Sequence, residues 1–286
     1  MNINKKQMDE INNVQLKIFK EFVSVCKKLN LRYYLVHGSL LGAVKYNGFF
    51  PYDDDIDVAM PRKDYEIFIR EGQNFLSNNL FVQSSLSEKD YPLVFAKVRD
   101  SKTCFIQPLI KNLNINKGIY IDIFPIDNYP TNFLYIFFYK CIEKIYRFRI
   151  ASSMFSINKN FIKKFLSRII CFILPDNDKV LKKLNSLYCN VKNTGKIIIY
   201  GGKDSERGID SNLFSEVKKV KFEGISSSIP LYYENYLNII YPDYMNYSPA
   251  EKYMVGDDLV KVSAIVIDVN KSYLDYEKPM EKDYEK

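Results

Sequence analysis

Apolar residues recur at spacings of three and four through Met8, Ile11, Val14, Ile18, Phe22, Val25 and Leu29, with Lys and Glu between them, which predicts an amphipathic helix over residues 7–29. Arg32 to Val36 is a short aromatic and aliphatic run. It ends at Gly38-Ser39 and is followed by Leu40-Leu41-Gly42-Ala43-Val44, the pattern of a strand, a tight turn and a short helix. After the Asn47-Gly48 turn, alternation from Asp55 to Met60 suits a strand that Pro61 stops. A helix is expected over 62–76, and strands over 93–98, 103–107 and 118–125. From 132 to about 196 helix-like stretches replace this mixture. Shorter elements then return around Phe222-Glu223-Gly224 and Ile229-Pro230-Leu231, with a helix over 232–240. The alternation implies an α/β (α+β) core, a mixed sheet flanked by helices, with an inserted helical region. Three parts are expected: a catalytic core over 1–131, a basic, aromatic-rich helical region over 132–205, and a C-terminal part over 206–286 that packs back on the core.

Composition narrows the class without choosing a function. Of 286 residues, 47% are hydrophobic and 26% charged, ordinary for a globular chain and wrong for a disordered or polytopic membrane protein. The five cysteines have no CxxC spacing, which argues against a disulfide framework and a cysteine-rich zinc site and for a reducing cytosol. The N-terminal stretch reads as lacking a cleaved secretory signal, and no segment reaches the apolar length of a membrane span. The net charge of +7 is uneven: residues 139–203 hold fourteen Lys and Arg against Glu143, Asp176 and Asp178. Such a segment meets nucleic acid, anionic lipid or phosphorylated substrates, or is simply a solvated face.

Chemistry concentrates in two places. Asp53, Asp55 and Asp57 alternate, so a strand there sets them on one face with Asp54 pointing away, and three stacked carboxylates repel one another without a cation. Oxygen ligands of this kind suit Mg²⁺ or Mn²⁺. A solvated turn or calcium-type loop is the competing reading, which Ile56, Val58 and Met60 speak against. Asp122 stands in the otherwise apolar run Ile119 to Phe124, where a carboxylate is costly to bury without a partner. If its strand neighbours the first, Asp122 completes a three-carboxylate site and suits a general base on an attacking hydroxyl. Gly38-Ser39 opens a helix, whose first turn offers free N–H groups to phosphate, although the same pair is a routine helix cap. Lys97 and Arg99 share a strand face, fit either to hold phosphate charge or to line a solvated edge. An anion cradle, a cation site and a placed base together suggest phosphoryl transfer. His37, the only histidine, excludes histidine-based triads and reads as a packing or capping residue.

These residues carry a resemblance. HGSLLGAVKYNGFFPYDDDIDVAMPRKDY, then KVRDSKT at 97–103, GIYIDIFPID at 118–127 and FEGISSSIPLYYENYLNIIYPDYM at 222–245 closely resemble the LicD, fukutin-related family of phosphotransferases in the nucleotidyltransferase superfamily. The resemblance is weakest over 132–205. It implies a nucleotidyltransferase-like core in which Asp55, Asp57 and Asp122 are catalytic and bind Mg²⁺ (or Mn²⁺), Asp53 supports the metal site, and Gly38, Ser39, Lys45, Lys97 and Arg99 hold the donor. Lys45 stands where the family commonly has arginine and Tyr46 where it often has histidine.

The implied reaction moves a phospho-alcohol, phosphocholine or another, from a CDP-alcohol donor to a hydroxyl of a cell-surface glycan or lipid-linked glycan (lipopolysaccharide, teichoic acid or capsule), releasing CMP. A choline cargo suits aromatic faces, which Tyr46, Phe49, Phe50 and Tyr52 offer close to the acids in sequence. The implied location is cytoplasmic, with the basic segment either resting peripherally on the inner membrane face or packed on the core. Two other readings are a nucleotidyltransferase that releases pyrophosphate from a nucleoside triphosphate, and a nucleic-acid-binding protein. The acids at Asp53–Asp57 argue against nucleic acid as a partner, since they repel phosphates unless metal is present.

Overall fold

A computed structural model describes residues 1–155, 165, 172, 177–199, 208–248, 254–255 and 259–276. Strand β1 (Asn2–Asn4) leads into helix α1 (Lys5–Lys28). Asn4 fixes the helix start: its side chain accepts from the Gln7 N–H at 2.9 Å, and the Gln7 side chain accepts from the Asn4 N–H at 3.1 Å. This reciprocal cap satisfies two donors that a helix start leaves open. Met8, Ile11, Ile18, Phe22 and Val25 form its buried stripe, as the periodicity requires.

There follow β2 (Tyr34–Leu35), α2 (His37–Tyr46), β3 (Asp57–Pro61), α3 (Arg62–Glu71), β4 (Leu80–Gln83), β5 (Ala96–Asp100), β6 (Cys104–Ile106) and β7 (Ile119–Asn128). The main sheet runs β2-β3-β7-β5-β4. Only the β3–β7 pair in this row is parallel, so the expected mixed sheet forms. The first nine residues of β7 are buried, which explains why this strand reads as a continuous apolar run instead of an alternating one. α1 and α3 pack on the sheet and close the main core.

The boundaries around the acids differ from the alternation. The strand expected from Asp55 begins at Asp57, and Asp53–Ile56 form a turn and loop before it. Asp53 and Asp55 therefore do not share a strand face with Asp57. The Asp53 N–H bonds the Phe50 carbonyl at 3.0 Å, and Tyr52 stands at φ +70°, a conformation a bulky residue adopts only when its surroundings impose it. That turn redirects the chain before pairing can start. Likewise β5 begins at Ala96 instead of Leu93, and β4 went unforeseen in the sequence.

In the second half come α4 (Phe133–Phe155), α5 (Asn177–Cys189), β8 (Lys196–Ile199), β9 (Ile209–Asp210), β10 (Val217–Phe222), β11 (Ile225–Pro230), α6 (Tyr233–Ile240), β12 (Met254–Val255), β13 (Leu259–Lys261) and β14 (Val266–Asp268). β8 joins the main sheet at the far end of β7 and carries β9. α4 and α5 pack on each other through Tyr139, Tyr146, Leu181, Leu184 and Tyr188, a cluster separate from the main core. Most of the helical stretch read over 161–175 lies outside the described residues. β10 and β11 form a hairpin turned by Glu223 and Gly224, both at positive φ. The chain then returns to its beginning, where β13 pairs with β1 and β14 pairs with β6. Among the described residues no helix is long and apolar enough to cross a membrane.

Candidate active site

The parallel register of β3 and β7 sets Asp57 directly beside Asp122, and the antiparallel register of β5 sets Lys97 beside Asp122 from the other side. Asp55 reaches the same place from the loop before β3. One carboxylate oxygen from each of Asp55, Asp57 and Asp122 lies within 4.8 Å of the others; Asp53, Asp54 and Asp55 form a second such group, so Asp55 belongs to both. Burial, and after it the charges of Asp57 and its neighbours, pushes the Asp55 carboxyl well above the usual carboxylate range. Burial likewise pushes Asp122 up to about 6, against the pull of the Lys97 ammonium.

Lys97 and Asp122 form a buried ion pair. The Lys97 ammonium also stands 3.4 Å from the centre of the Tyr120 ring, and Arg99 lies over the same ring at 4.7 Å. Burial lowers the Lys97 pKa while Asp122 opposes the drop. A buried charge persists only when it is paired and hydrogen-bonded, and here the sheet register supplies the partner.

The start of α2 faces these acids. A side-chain carbon on Gly38 would meet Asp53 Oδ2 at 2.1 Å, so the backbone approaches that carboxylate more closely than any other residue permits. Ser39 Oγ accepts the Asp57 N–H at 2.8 Å. His37, at φ +48°, holds Nδ1 3.6 Å from Asp57 Oδ2 and its ring edge-on to Phe124 at 5.4 Å. The positive end of the helix thus lies against the negative cluster. Asp54, in the second group, is held from outside the cluster: its Oδ2 accepts the Ser263 N–H at 3.0 Å and hydroxyl at 3.1 Å, while its carbonyl accepts from Gln15 Nε2 at 2.7 Å. These bonds anchor the acidic loop to α1 and to the returning C-terminal part.

With this geometry in place, comparison with known proteins is direct. The sequence profile described as LicD/FKTN/FKRP, nucleotidyltransferase domain, matches residues 30–156, the stretch that contains Gly38, the acidic loop, Lys97 and Asp122. Over this stretch the chain is similar to the LicD family. It is 26% identical over 253 residues to the lipopolysaccharide cholinephosphotransferase LicD of Haemophilus influenzae, covering 83% of this chain and 91% of that one. It is also 28% identical over 121 residues to an uncharacterized protein of Rickettsia prowazekii, 42% of this chain and 41% of that one. By these similarities the chain is an enzyme of the LicD phosphotransferase type.

The LicD motif residues do not all converge on the acids. Arg99, expected to hold the donor, is fully buried. Its Nε bonds the Gln83 side chain and its Nη1 the Gly118 carbonyl at 2.6 Å, so it braces β5 against β4 and β7. Lys97 is neither a solvated residue nor a free phosphate clamp, because Asp122 occupies it. Lys45 also points elsewhere: its ammonium donates to the carbonyls of Tyr244, Met245 and Tyr247 at 3.3, 2.8 and 3.0 Å, which ties α2 to the segment after α6. Three carbonyls match the three donors of an ammonium, and a lysine at this position of the motif suits that task.

Of the aromatic residues, Phe49 and Tyr52, with Phe50, line a cavity of 630 Å³ between the first half of α1, the loop after α2 and the β12–β13 strands. Asp9, Asn12 and Glu223 add polar atoms to its wall. Tyr46 does not line it; it lies exposed beside Phe50. Sequence reasoning missed Glu223, whose Oε1 accepts the Phe49 N–H at 3.2 Å, and Ser263 and Gln15, which hold Asp54. All three act across long sequence separations that no local pattern signals. His37 beside Asp57 was the one with a visible cue, its adjacency to Gly38-Ser39.

Proposed function

We propose that this chain transfers a phospho-alcohol, with phosphocholine the leading cargo, from a CDP-alcohol donor to a hydroxyl of a cell-surface glycan such as lipopolysaccharide, releasing CMP and requiring Mg²⁺ or Mn²⁺. The observation that carries the reading is the meeting of Asp55, Asp57 and Asp122, in a chain similar along most of its length to a lipopolysaccharide cholinephosphotransferase. The donor set fits a hard cation: it is carboxylate oxygen throughout, and the raised Asp55 carboxyl marks negative charge that Lys97 alone leaves largely unbalanced. Held by Asp55 and Asp57, with Asp122 beside them, such an ion would offset charge on the donor phosphates and the leaving CMP.

The protein's own residues supply the remainder. Lys97 engages Oδ1 of Asp122 and fixes that side chain, leaving its second oxygen to take the proton of the acceptor hydroxyl. Gly38 and Ser39 at the start of α2 lie where backbone dipoles favour the phosphate side of the donor. The cavity lined by Phe49, Phe50 and Tyr52, with Asp9, Glu223 and Lys5 in its wall, offers aromatic faces and two carboxylates to a quaternary ammonium. The acceptor chemistry and a cytoplasmic site of action are read from the family alone.

The test is incubation of the purified protein with Mg²⁺, a lipopolysaccharide acceptor and, in turn, CDP-choline, CDP-ethanolamine, CDP-ribitol, CDP-glycerol, CTP and ATP, with and without EDTA. CMP released from CDP-choline and abolished by EDTA is the expected result. Pyrophosphate released from a triphosphate would replace this reading with nucleotidyl transfer.

A further inference from the structure

The outward face of α4 is apolar. Phe133, Leu134, Phe137, Phe138, Ile145 and Phe148 are all exposed, Phe133 at 78% and Phe138 at 61%. At about 100° per residue these six fall within an arc of roughly 140° on one side of the helix. The opposite side holds Tyr139 and Tyr146, buried against α5 and the end of the sheet. A surface helix normally turns its apolar stripe to the core; α4 does so with Ile136, Tyr139, Ile142 and Tyr146, yet it also presents four phenylalanines to the outside. Lone exposed apolar residues need no explanation, whereas a contiguous row of this size marks an interaction surface.

Charge identifies the partner. Lys144 lies within the same arc and Lys140 at its edge, both exposed, in a segment whose fourteen basic residues face three acids. Aromatic and aliphatic side chains flanked by lysines are what a helix lying flat in an anionic bilayer surface presents, and α4 lacks the apolar length to cross one. We propose that α4 is a membrane-docking helix, which seats this face of the protein on an anionic lipid surface with Phe133, Leu134, Phe137, Phe138, Ile145 and Phe148 among the headgroups.

The chain contains no tryptophan, so Phe138→Trp places one indole fluorophore in the proposed contact. With vesicles of phosphatidylcholine and phosphatidylglycerol, and neither donor nor acceptor present, the expected result is co-sedimentation of the protein, a blue shift of the indole emission and its quenching by bromine-labelled acyl chains. Pure phosphatidylcholine vesicles should give weak binding. Phe137→Ser/Phe138→Ser should abolish sedimentation with an unchanged circular dichroism spectrum. Lys140→Gln/Lys144→Gln should weaken it about thirty-fold, two basic contacts at the membrane surface. Absence of vesicle binding would overturn the proposal, as would salt-sensitive binding that leaves the emission unmoved. So would a concentration-dependent dimer, abolished by Phe137→Ser/Phe138→Ser, in a protein that ignores vesicles, because a second copy would then cover the face. None of these readouts depends on catalysis, so they stand apart from the test of the transferase reading.

Discussion

The acid centre and the α4–α5 region each invert the usual arrangement of a folded chain, in opposite directions. Around β7, charged side chains go inside: Asp122, Lys97 and Arg99 are buried between apolar strands, each held by a partner that the sheet register or a facing loop supplies. On α4, a row of apolar side chains goes outside, while Tyr139 and Tyr146, with Ile136 and Ile142, make the inward contacts. A buried charge is tolerated only in a fixed, rigid geometry, which suits chemistry. An exposed apolar row needs no fixed partner atom, which suits a fluid or variable surface. The two inversions thus mark where this molecule meets something other than itself, and they differ in the precision each demands.

Four changes would break or sharpen that contrast. The largest effect is expected for Asp57→Asn, which removes charge where Asp55 and Asp122 converge; a loss of several kcal/mol of transition-state stabilisation is about 10³-fold or more in turnover. Turnover kept within ten-fold in a folded variant would remove the acid centre from the reaction. Lys97→Met leaves Asp122 buried without its cation, and urea unfolding should show a loss of about 3–5 kcal/mol. Adding Asp122→Leu should recover most of it, and a single variant as stable as the parent would mean that the pair contributes nothing. In the helical region, Leu184→Ala empties a fully buried position at an expected cost of about 2–4 kcal/mol. Hydrogen exchange should quicken along α4 and α5 and stay unchanged along β3 and β7; equal acceleration in both would show that the two regions unfold as one.

The smallest effect has the opposite sign. Burial and neighbouring acids raise the Asp55 carboxyl, so its ionised form at neutral pH works against the fold. Asp55→Asn should therefore raise the melting temperature in EDTA, by about 1 kcal/mol or roughly 2 °C. In saturating Mg²⁺ the gain should vanish, because the wild type then has its charge balanced. A lower melting temperature in EDTA would show that Asp55 is already neutralised within the protein.

Most of the core was legible because its signals are local. The stripe from Met8 to Val25 gave α1, and the lone acid in Ile119–Phe124 marked Asp122 before any neighbour was known. Other features depend on partners far away in sequence. Period-two alternation gave Asp53, Asp55 and Asp57 a shared face, but a turn bonded to the Phe50 carbonyl prevents pairing until Asp57. Lys97 and Arg99 read either as phosphate contacts or as a solvated edge, because basic side chains are seldom buried, and only the register with β7 reveals their partners. Lys45 sat inside a donor-binding motif, yet it caps carbonyls some two hundred residues later. The strands β4, β8 and β9 are two to four residues long, too short for a periodicity to announce them.

Asp122 and Asp127 are five positions apart on β7, an odd separation that sends their side chains to opposite faces. Asp122 faces Asp55 and Asp57; Asp127 grips Arg62, with Nε 2.6 Å from Oδ1, and the same guanidinium reaches Asn185 on α5 at 3.2 Å. The strand is therefore a partition with the acid cluster on one side and the mooring of the helical region on the other. Evolution can exchange the helices for others suited to a different surface or acceptor without disturbing the reacting groups, provided that the replacement still fits Arg62 and Asp127. A chimaera that swaps only the helical segment 129–195 should inherit its new address and keep its old chemistry.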